Sequence, residues 1–227
     1  MGFTLDQVVP WGRNLEEYRQ MFSLTDHELT RKMLGCADGP ASVNAELNRQ
    51  GSPYVSLDPI YQYSAHDIEE RIAATVPVIA RQLEENQADY CWSYYASPQE
   101  LVLARQATMD TFLADFSLPS ASERYIAGSL PELPFADGTF DLLLCSHLLF
   151  SYSEQLDGAF HQRSIMEMLR VSKEVRVFPL LEIDGHPSRH LPMILDFIKV
   201  HDIMGETVLV NYEFQRGGNQ MLTLKTR

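Results

Sequence analysis

The chain has 227 residues, 45% hydrophobic and 22% charged, a balance that excludes disorder and leaves room for one sizeable core. Its net charge of −13, from 31 acidic against 18 basic residues, is the wrong sign for a nucleic-acid binder or for attachment to an anionic membrane surface. Three cysteines, Cys36, Cys91 and Cys145, form an odd set with no CxxC and no Cys/His cluster, which argues against a disulfide framework or a structural zinc site.

The opening stretch MGFTLDQVVPWGR has neither a basic start nor a long apolar core, so no signal peptide is read there. No run approaches the roughly 18 apolar residues that span a bilayer. A soluble, cytoplasmic protein is expected. Within residues 1 to 31, Asn14 with Glu17 fits a capping box, and Leu15, Tyr18, Arg19 and Phe22 follow as a short helix. Thr25 with Glu28 reads as a second cap. The stretch Val9 to Arg13 has no period. Trp11 and Arg13 there read as an aromatic against the core beside a surface arginine, or as a flap over a ligand.

Residues 32 to 58 organise the rest. In the stretch Lys32 to Ser42 a short apolar run meets a glycine-rich turn, Gly35 to Gly39, and a helix is predicted from Ala41 to Arg49 with Pro40 at its first position. Gly51 is its stop. A second apolar run, Tyr54 to Leu57, ends in Asp58, nineteen residues after Gly39. Such a strand–turn–helix–strand unit offers backbone N–H groups to a ligand and a carboxylate to a ribose diol.

Residues 61 to 124 hold no convincing strand and are about twice as long as a crossover needs, so they read as a helical insertion. One helix opens at Ser64 and runs through Ile68, Ile72, Val76, Ile79 and Leu83, with Pro77 expected to kink or divide it. The aromatic stretch Tyr90 to Tyr95 follows, as a connector or as part of a helix. Ser97-Pro98-Gln99-Glu100 then starts a helix through Phe116. This insertion is the candidate lid, and the segment through which copies of the chain would associate. Strands are predicted at 124–127, 140–145 and 175–181, and helices at 158–171 and 188–200. Two last strands, 207–214 and 221–225, are expected to form a hairpin through Gln215-Arg216-Gly217-Gly218-Asn219.

On these residues the sequence resembles the class I S-adenosylmethionine-dependent methyltransferases, and most closely their uncharacterised bacterial members. The resemblance covers about residues 30 to 225, apart from the insertion. It implies one methyltransferase-like α/β domain over 1–227. The implied fold is a Rossmann-like sheet of seven strands, mostly parallel with an antiparallel last strand, with helices on both faces. The glycine loop that in the family reads acidic-x-Gly-x-Gly-x-Gly matches Met33-Leu34-Gly35-Cys36-Ala37-Asp38-Gly39. Met33 stands where the acid is usual, and Ala37 stands for the middle glycine and fits if its φ is negative. Asp58 matches the ribose acid, with Pro59 beside the adenine. Ser129, in the segment Ala127 to Phe135, stands where an Asp meets the adenine amino group. Phe135 to His147 matches the fourth strand, whose end faces the methyl group.

The resemblance implies S-adenosylmethionine as cofactor and a small-molecule acceptor. The implied cofactor residues are Gly35, Cys36, Ala37, Asp38, Gly39, Asp58, Pro59, Ser129, Leu130, Ser146 and His147, with Trp11 and Arg13 from the lead-in. His147, past the end of a buried strand, is the candidate catalytic base, since an unperturbed imidazole near pKa 6.5 accepts a proton at neutral pH. Its bland alternative is a helix-start histidine bonded to backbone. Cys145 reads as a core thiol and the 90–95 aromatics as packing. His161, His186, His190 and His201 read as surface histidines with no metal-ligand spacing. Arg71, Arg81 and Arg105 read as a solvated helix face or as binders of an anionic substrate. Two rival readings stay open: a non-catalytic binder of the cofactor or its demethylated product, and a nicotinamide-dependent Rossmann enzyme. The C-terminal strand pair and the 135–147 segment tell against the second.

Overall fold

The computed structural model describes residues 9–226; most of the opening stretch read for a signal peptide lies outside the described residues, as does Arg227. Seven strands form one sheet: β1 (Met33–Cys36), β2 (Tyr54–Leu57), β3 (Tyr125–Ile126), β4 (Leu142–Ser146), β5 (Glu174–Phe178), β6 (Met204–Leu209) and β7 (Gln220–Lys225). Their order is β3-β2-β1-β4-β5-β7-β6. β7 runs antiparallel to both its neighbours, β5 and β6, and every other pairing is parallel, as the resemblance implies. Alternate residues of the central strands face opposite layers, because side chains along a strand point to opposite faces. Leu34, Cys36, Leu143, Cys145, Val175 and Val177 pack under α5 (Gly158–Val171) and α6 (Leu191–Val200). Met33, Tyr54, Leu142 and Leu144 pack under α1 (Leu15–Met21) and α2 (Val43–Arg49). With both faces covered, β1, β4 and β5 are buried at every residue; β1 and β4 therefore read as nearly continuous apolar runs, while β5 alternates, its buried Glu174 and Arg176 bonded to each other at 2.9 Å.

Local chemistry starts the helices where the sequence predicts them. The Asn14–Glu17 capping box opens α1, and a Ser64–Asp67 box opens α3 (Ala65–Glu85). Ser97 caps α4 (Pro98–Phe116) and accepts from the Glu100 N–H at 3.1 Å. Three expectations need correction. First, α2 begins at Val43 with Ser42 as its cap residue, so Pro40 lies ahead of the helix and belongs to the turn. Second, Pro77 does not divide α3, which remains one helix through it. Third, the last two strands are not joined by a tight turn. Pairing stops at the Leu209–Gln220 rung. Residues 210–219 instead leave the sheet and dock on the insertion: Cys91 N–H donates to the Phe214 carbonyl at 2.7 Å, and Arg216 N–H to the Asp89 carbonyl at 3.0 Å. The stretch 90–95 is a loop, and its rings pack on this excursion, with Tyr90 stacked on Phe214 at 4.7 Å.

The chain lays β1, β2 and β3 outward in one direction and then returns to place β4 on the other side of β1. That reversal opens a crevice beyond the carboxyl ends of β1 and β4, where Cys36 pairs in register with both Leu57 and Cys145. The loops after β1, β2, β4 and β5 all rise around it.

Candidate functional site

A cavity of about 970 Å³ fills this crevice. It is walled by the turn after β1, the loops after β2, β3, β4 and β5, the segment Val9 to Arg13, one side of α3, and the 210–219 excursion. Trp11, Arg13, Cys36, Ala37, Asp38, Gly39, Asp58, Pro59, Ser129, Leu130, Ser146 and His147 all line it. Of the residues expected at the site, Gly35 alone is not in the wall.

Gly35 has a different task. A Cβ there would overlap the Asp38 carboxylate and the Tyr54 hydroxyl. Asp38 folds back under the turn into that space. Its carboxylate accepts from Tyr18 Oη at 2.8 Å, Tyr54 Oη at 3.1 Å and Ser56 Oγ at 2.7 Å. Burial pushes its carboxyl up and these three donors pull it back, leaving it at about 6. Met33, at the position of the usual acid, is a fully buried core residue. The acid of this loop is therefore Asp38, five residues further on.

Ala37 departs from expectation. Its φ is +61°, in the left-handed region that glycine occupies without steric cost, whereas the sequence reading required a negative φ. The turn keeps the shape of a glycine turn and bears the strain at Ala37. Asp58 caps the 3-10 turn Pro59–Gln62. Its Oδ1 accepts from the Ile60 N–H and its Oδ2 from the Gly39 N–H, each at 2.9 Å. Those two bonds tie β2 to the β1 turn and leave one lone pair on each oxygen. Burial again raises the carboxyl, against the two N–H groups, to about 6.

At the other side of the turn lies a cluster that the sequence reading missed. Glu17 and Arg105 form a buried ion pair; Arg105 Nη2 donates to Glu17 Oε1 at 2.6 Å, and Arg105 Nη1 bonds Glu17 Oε2 and, at 3.2 Å, the Gly12 carbonyl. Tyr212 Oη donates to the same Oε1 at 2.8 Å. Burial alone would raise the Glu17 carboxyl, but Arg105 holds it below the usual range. Arg105 is thus neither solvated nor a substrate binder. It locks α1, α4 and the C-terminal excursion together. Arg81 is exposed as expected, and Arg71 is exposed at the cavity wall.

Arg13 stands beside this pair. Its Nη1 donates to the Trp11 carbonyl at 3.3 Å, and its Nε is buried with no hydrogen-bond partner among the described residues. Burial and the neighbouring Arg105 depress its pKa. Glu17 thus faces two guanidiniums, Arg105 in direct contact and Arg13 half-buried at the cavity wall. Trp11 packs between the two apolar clusters of the insertion and forms part of the roof.

His147 has φ +52° and starts no helix, which removes the helix-start alternative. Its N–H donates to the Phe178 carbonyl at 2.7 Å, and its Nδ1 is 2.9 Å from Ser146 Oγ. Burial, then Arg13 and Arg105, lower its pKa well below the usual 6.5. It is neutral at pH 7, yet a weaker base than the sequence reading assumed. Leu130 is buried in the wall, and Ser129 is exposed at the rim, in a turn closed by Glu132 N–H on its carbonyl at 3.3 Å.

Two other histidines correct the sequence reading. His161 is fully buried in α5 and His190 half-buried, their rings 4.6 Å apart. Cys145 is the buried thiol expected, pushed up to about 12 by burial. No group of three or more potential metal ligands occurs among the described residues. Nor is any helix among them long and apolar enough to cross a membrane.

The chain is 32% identical over 222 residues, 97% of each chain, to the uncharacterized protein MJ0045 of Methanocaldococcus jannaschii. No family model matches it. Similar solved structures include TnmH (11% identity, TM-score 0.48, 93% of this chain covered) and the mitomycin 7-O-methyltransferase MmcR (12%, 0.48, 94%). This chain spans about half the length of either, 55% and 54%. The methyltransferase domain of bacterial CtHen1-CN is 10% identical with a TM-score of 0.49, covering 92% of this chain and 98% of that one.

Proposed function

This chain belongs to one family with the Methanocaldococcus jannaschii protein, and from that premise we propose that it is an S-adenosylmethionine-dependent methyltransferase acting on a small-molecule acceptor. The observation that carries the reading is the placement of three complementary groups on one cavity wall. Asp58 offers two open lone pairs to a ribose diol. Asp38, buried in the same wall, keeps one lone pair on Oδ1 beyond its three hydrogen bonds, for an ammonium group. Arg13, half-buried, offers a guanidinium whose Nε has no partner among the described residues to a carboxylate. A nucleoside joined to an amino acid satisfies all three, and a buried charge without its partner is costly.

Leu130 and Pro59 line the same cavity as Asp58 and suit an adenine face. When bound, the cofactor supplies an electrophilic methyl group, whose bond to sulfur breaks with the electron pair left on sulfur as the bond to the acceptor forms. The chain's own contribution is to hold both reactants in line and to exclude water. His147, neutral and at the end of β4, takes the proton of an acceptor that must lose one. A protein that bound the cofactor without turnover would use the polar half of the cavity and leave the other half without a ligand. At about 970 Å³ the cavity stands at the top of the ~300–1,000 Å³ range of small-molecule sites, which supports two reactants.

Thermal denaturation tests the assignment. S-adenosylhomocysteine raises the melting temperature, because a ligand bound only to the native state stabilises by about 2.7 kcal/mol at a hundredfold excess over Kd. NAD leaves it unchanged. A shift with NAD alone would overturn the proposal.

A further inference from the structure

The cavity is divided by charge. Its charged lining residues, Arg13, Asp38, Asp58, Asp67 and Arg71, and its one histidine, His147, belong to the lead-in, the β1 turn, the β2 loop with the first turns of α3, and the end of β4. The remaining wall has none. Ile79 and Leu83 from the later turns of α3, Tyr90, Ile183 and Phe214 form much of it, with Ser151 and Gln215 among them.

These five residues come from four separate segments, and hydrogen bonds and ring packing join the segments into one continuous wall. Cys91 N–H donates to the Phe214 carbonyl at 2.7 Å, Gln215 Nε2 to the Ile183 carbonyl at 3.1 Å, and Ile183 N–H to the Ser151 carbonyl at 3.1 Å. Tyr90 and Phe214 stack at 4.7 Å and pack on Ile79 and Leu83. The excursion at 210–219 abandons the sheet to build this wall, so it is part of the enclosure rather than a loose connection. A charged group pressed against such a surface loses its hydration and gains no partner.

We propose that this wall is the acceptor subsite and that it takes an uncharged molecule with a largely apolar, ring-sized body. The proposal rests on the methyltransferase reading for its role. Selectivity here comes from exclusion, since an ion has no counter-charge to meet.

Three probes of one shape test it: 1-naphthol, 1-naphthoate and (1-naphthylmethyl)ammonium, each titrated calorimetrically into protein saturated with S-adenosylhomocysteine. Naphthol binds at least tenfold more tightly than either ion. Ile183→Arg and Phe214→Arg, at two half-buried positions on different segments, each reverse the preference towards naphthoate by at least tenfold. Retained affinity for S-adenosylhomocysteine shows that a variant has folded. An ion that binds the unaltered protein as tightly as naphthol, or no binding of any probe to the loaded protein, overturns the acceptor proposal alone. Failure to take up S-adenosylhomocysteine in the first titration overturns the methyltransferase reading, and the acceptor role with it.

Discussion

Asp38 and Asp58 make the unliganded protein more stable in mild acid, against the common trend. Each carboxyl is raised from 3.8 to about 6, chiefly by burial. The folded-state pKa therefore lies above the unfolded one. As pH falls from about 7 towards 4, the folded chain takes up protons that the unfolded chain does not, and stability rises. A shift of roughly two units corresponds to about 3 kcal/mol per group over the full range, and about 1 kcal/mol of it falls between pH 7 and pH 5. Glu17, Glu28 and Glu174 are lowered and act in the opposite sense. They are present in every variant and cancel from a difference. The assay is urea denaturation of wild type and of Asp38→Asn/Asp58→Asn at pH 5 and pH 7. Moving from pH 7 to pH 5, the wild type gains about 2 kcal/mol relative to the double variant. Equal pH dependence in the two proteins would refute the argument that burial governs these carboxylates.

S-adenosylhomocysteine binds more weakly at pH 5 than at pH 7 by calorimetry, by about tenfold for each of Asp38 and Asp58 and about a hundredfold for both, because a carboxyl with a pKa of about 6 is then only about one-tenth ionised. Asp58→Ala removes two charge-assisted hydrogen bonds to the ligand and costs about 2–3 kcal/mol of affinity for the same compound. Ala37→Gly relieves the left-handed strain and raises stability by about 0.5–1 kcal/mol in urea, the ~1–2 kcal/mol of strain less the extra freedom of an unfolded glycine. Glu17→Ala leaves Arg105 buried without its counter-ion and costs about 3–5 kcal/mol in the same assay.

What could be read from the sequence was local. Apolar runs marked β1, β2 and β4, and the Asn14, Ser64 and Ser97 caps marked helix starts, because each signal lies within a few residues. The Gly35 to Asp58 unit was legible for the same reason. The sign of φ at Ala37 was not, since the backbone there is set by packing around Asp38 rather than by the alanine. Arg105 could have been read as buried: it lies on the stripe of Leu101, Thr108 and Phe112, and an arginine on an apolar stripe needs a buried partner. Nothing local names Glu17 as that partner. His161 likewise shares a stripe with Ile165 and Met168. Gly217-Gly218 resembles a hairpin turn, but Tyr212 and Phe214 gain more by docking on Glu17 and Tyr90 than by extending β6, and sequence spacing carries no trace of those distant contacts.

The central claim is that the turn after β1 and the acid after β2 hold S-adenosylmethionine. A crystal structure of the protein with S-adenosylhomocysteine tests it most directly. The account predicts the ribose hydroxyls on Asp58 and the ligand carboxylate on Arg13. A ligand seated elsewhere, or a ribose that makes no contact with Asp58, would contradict it.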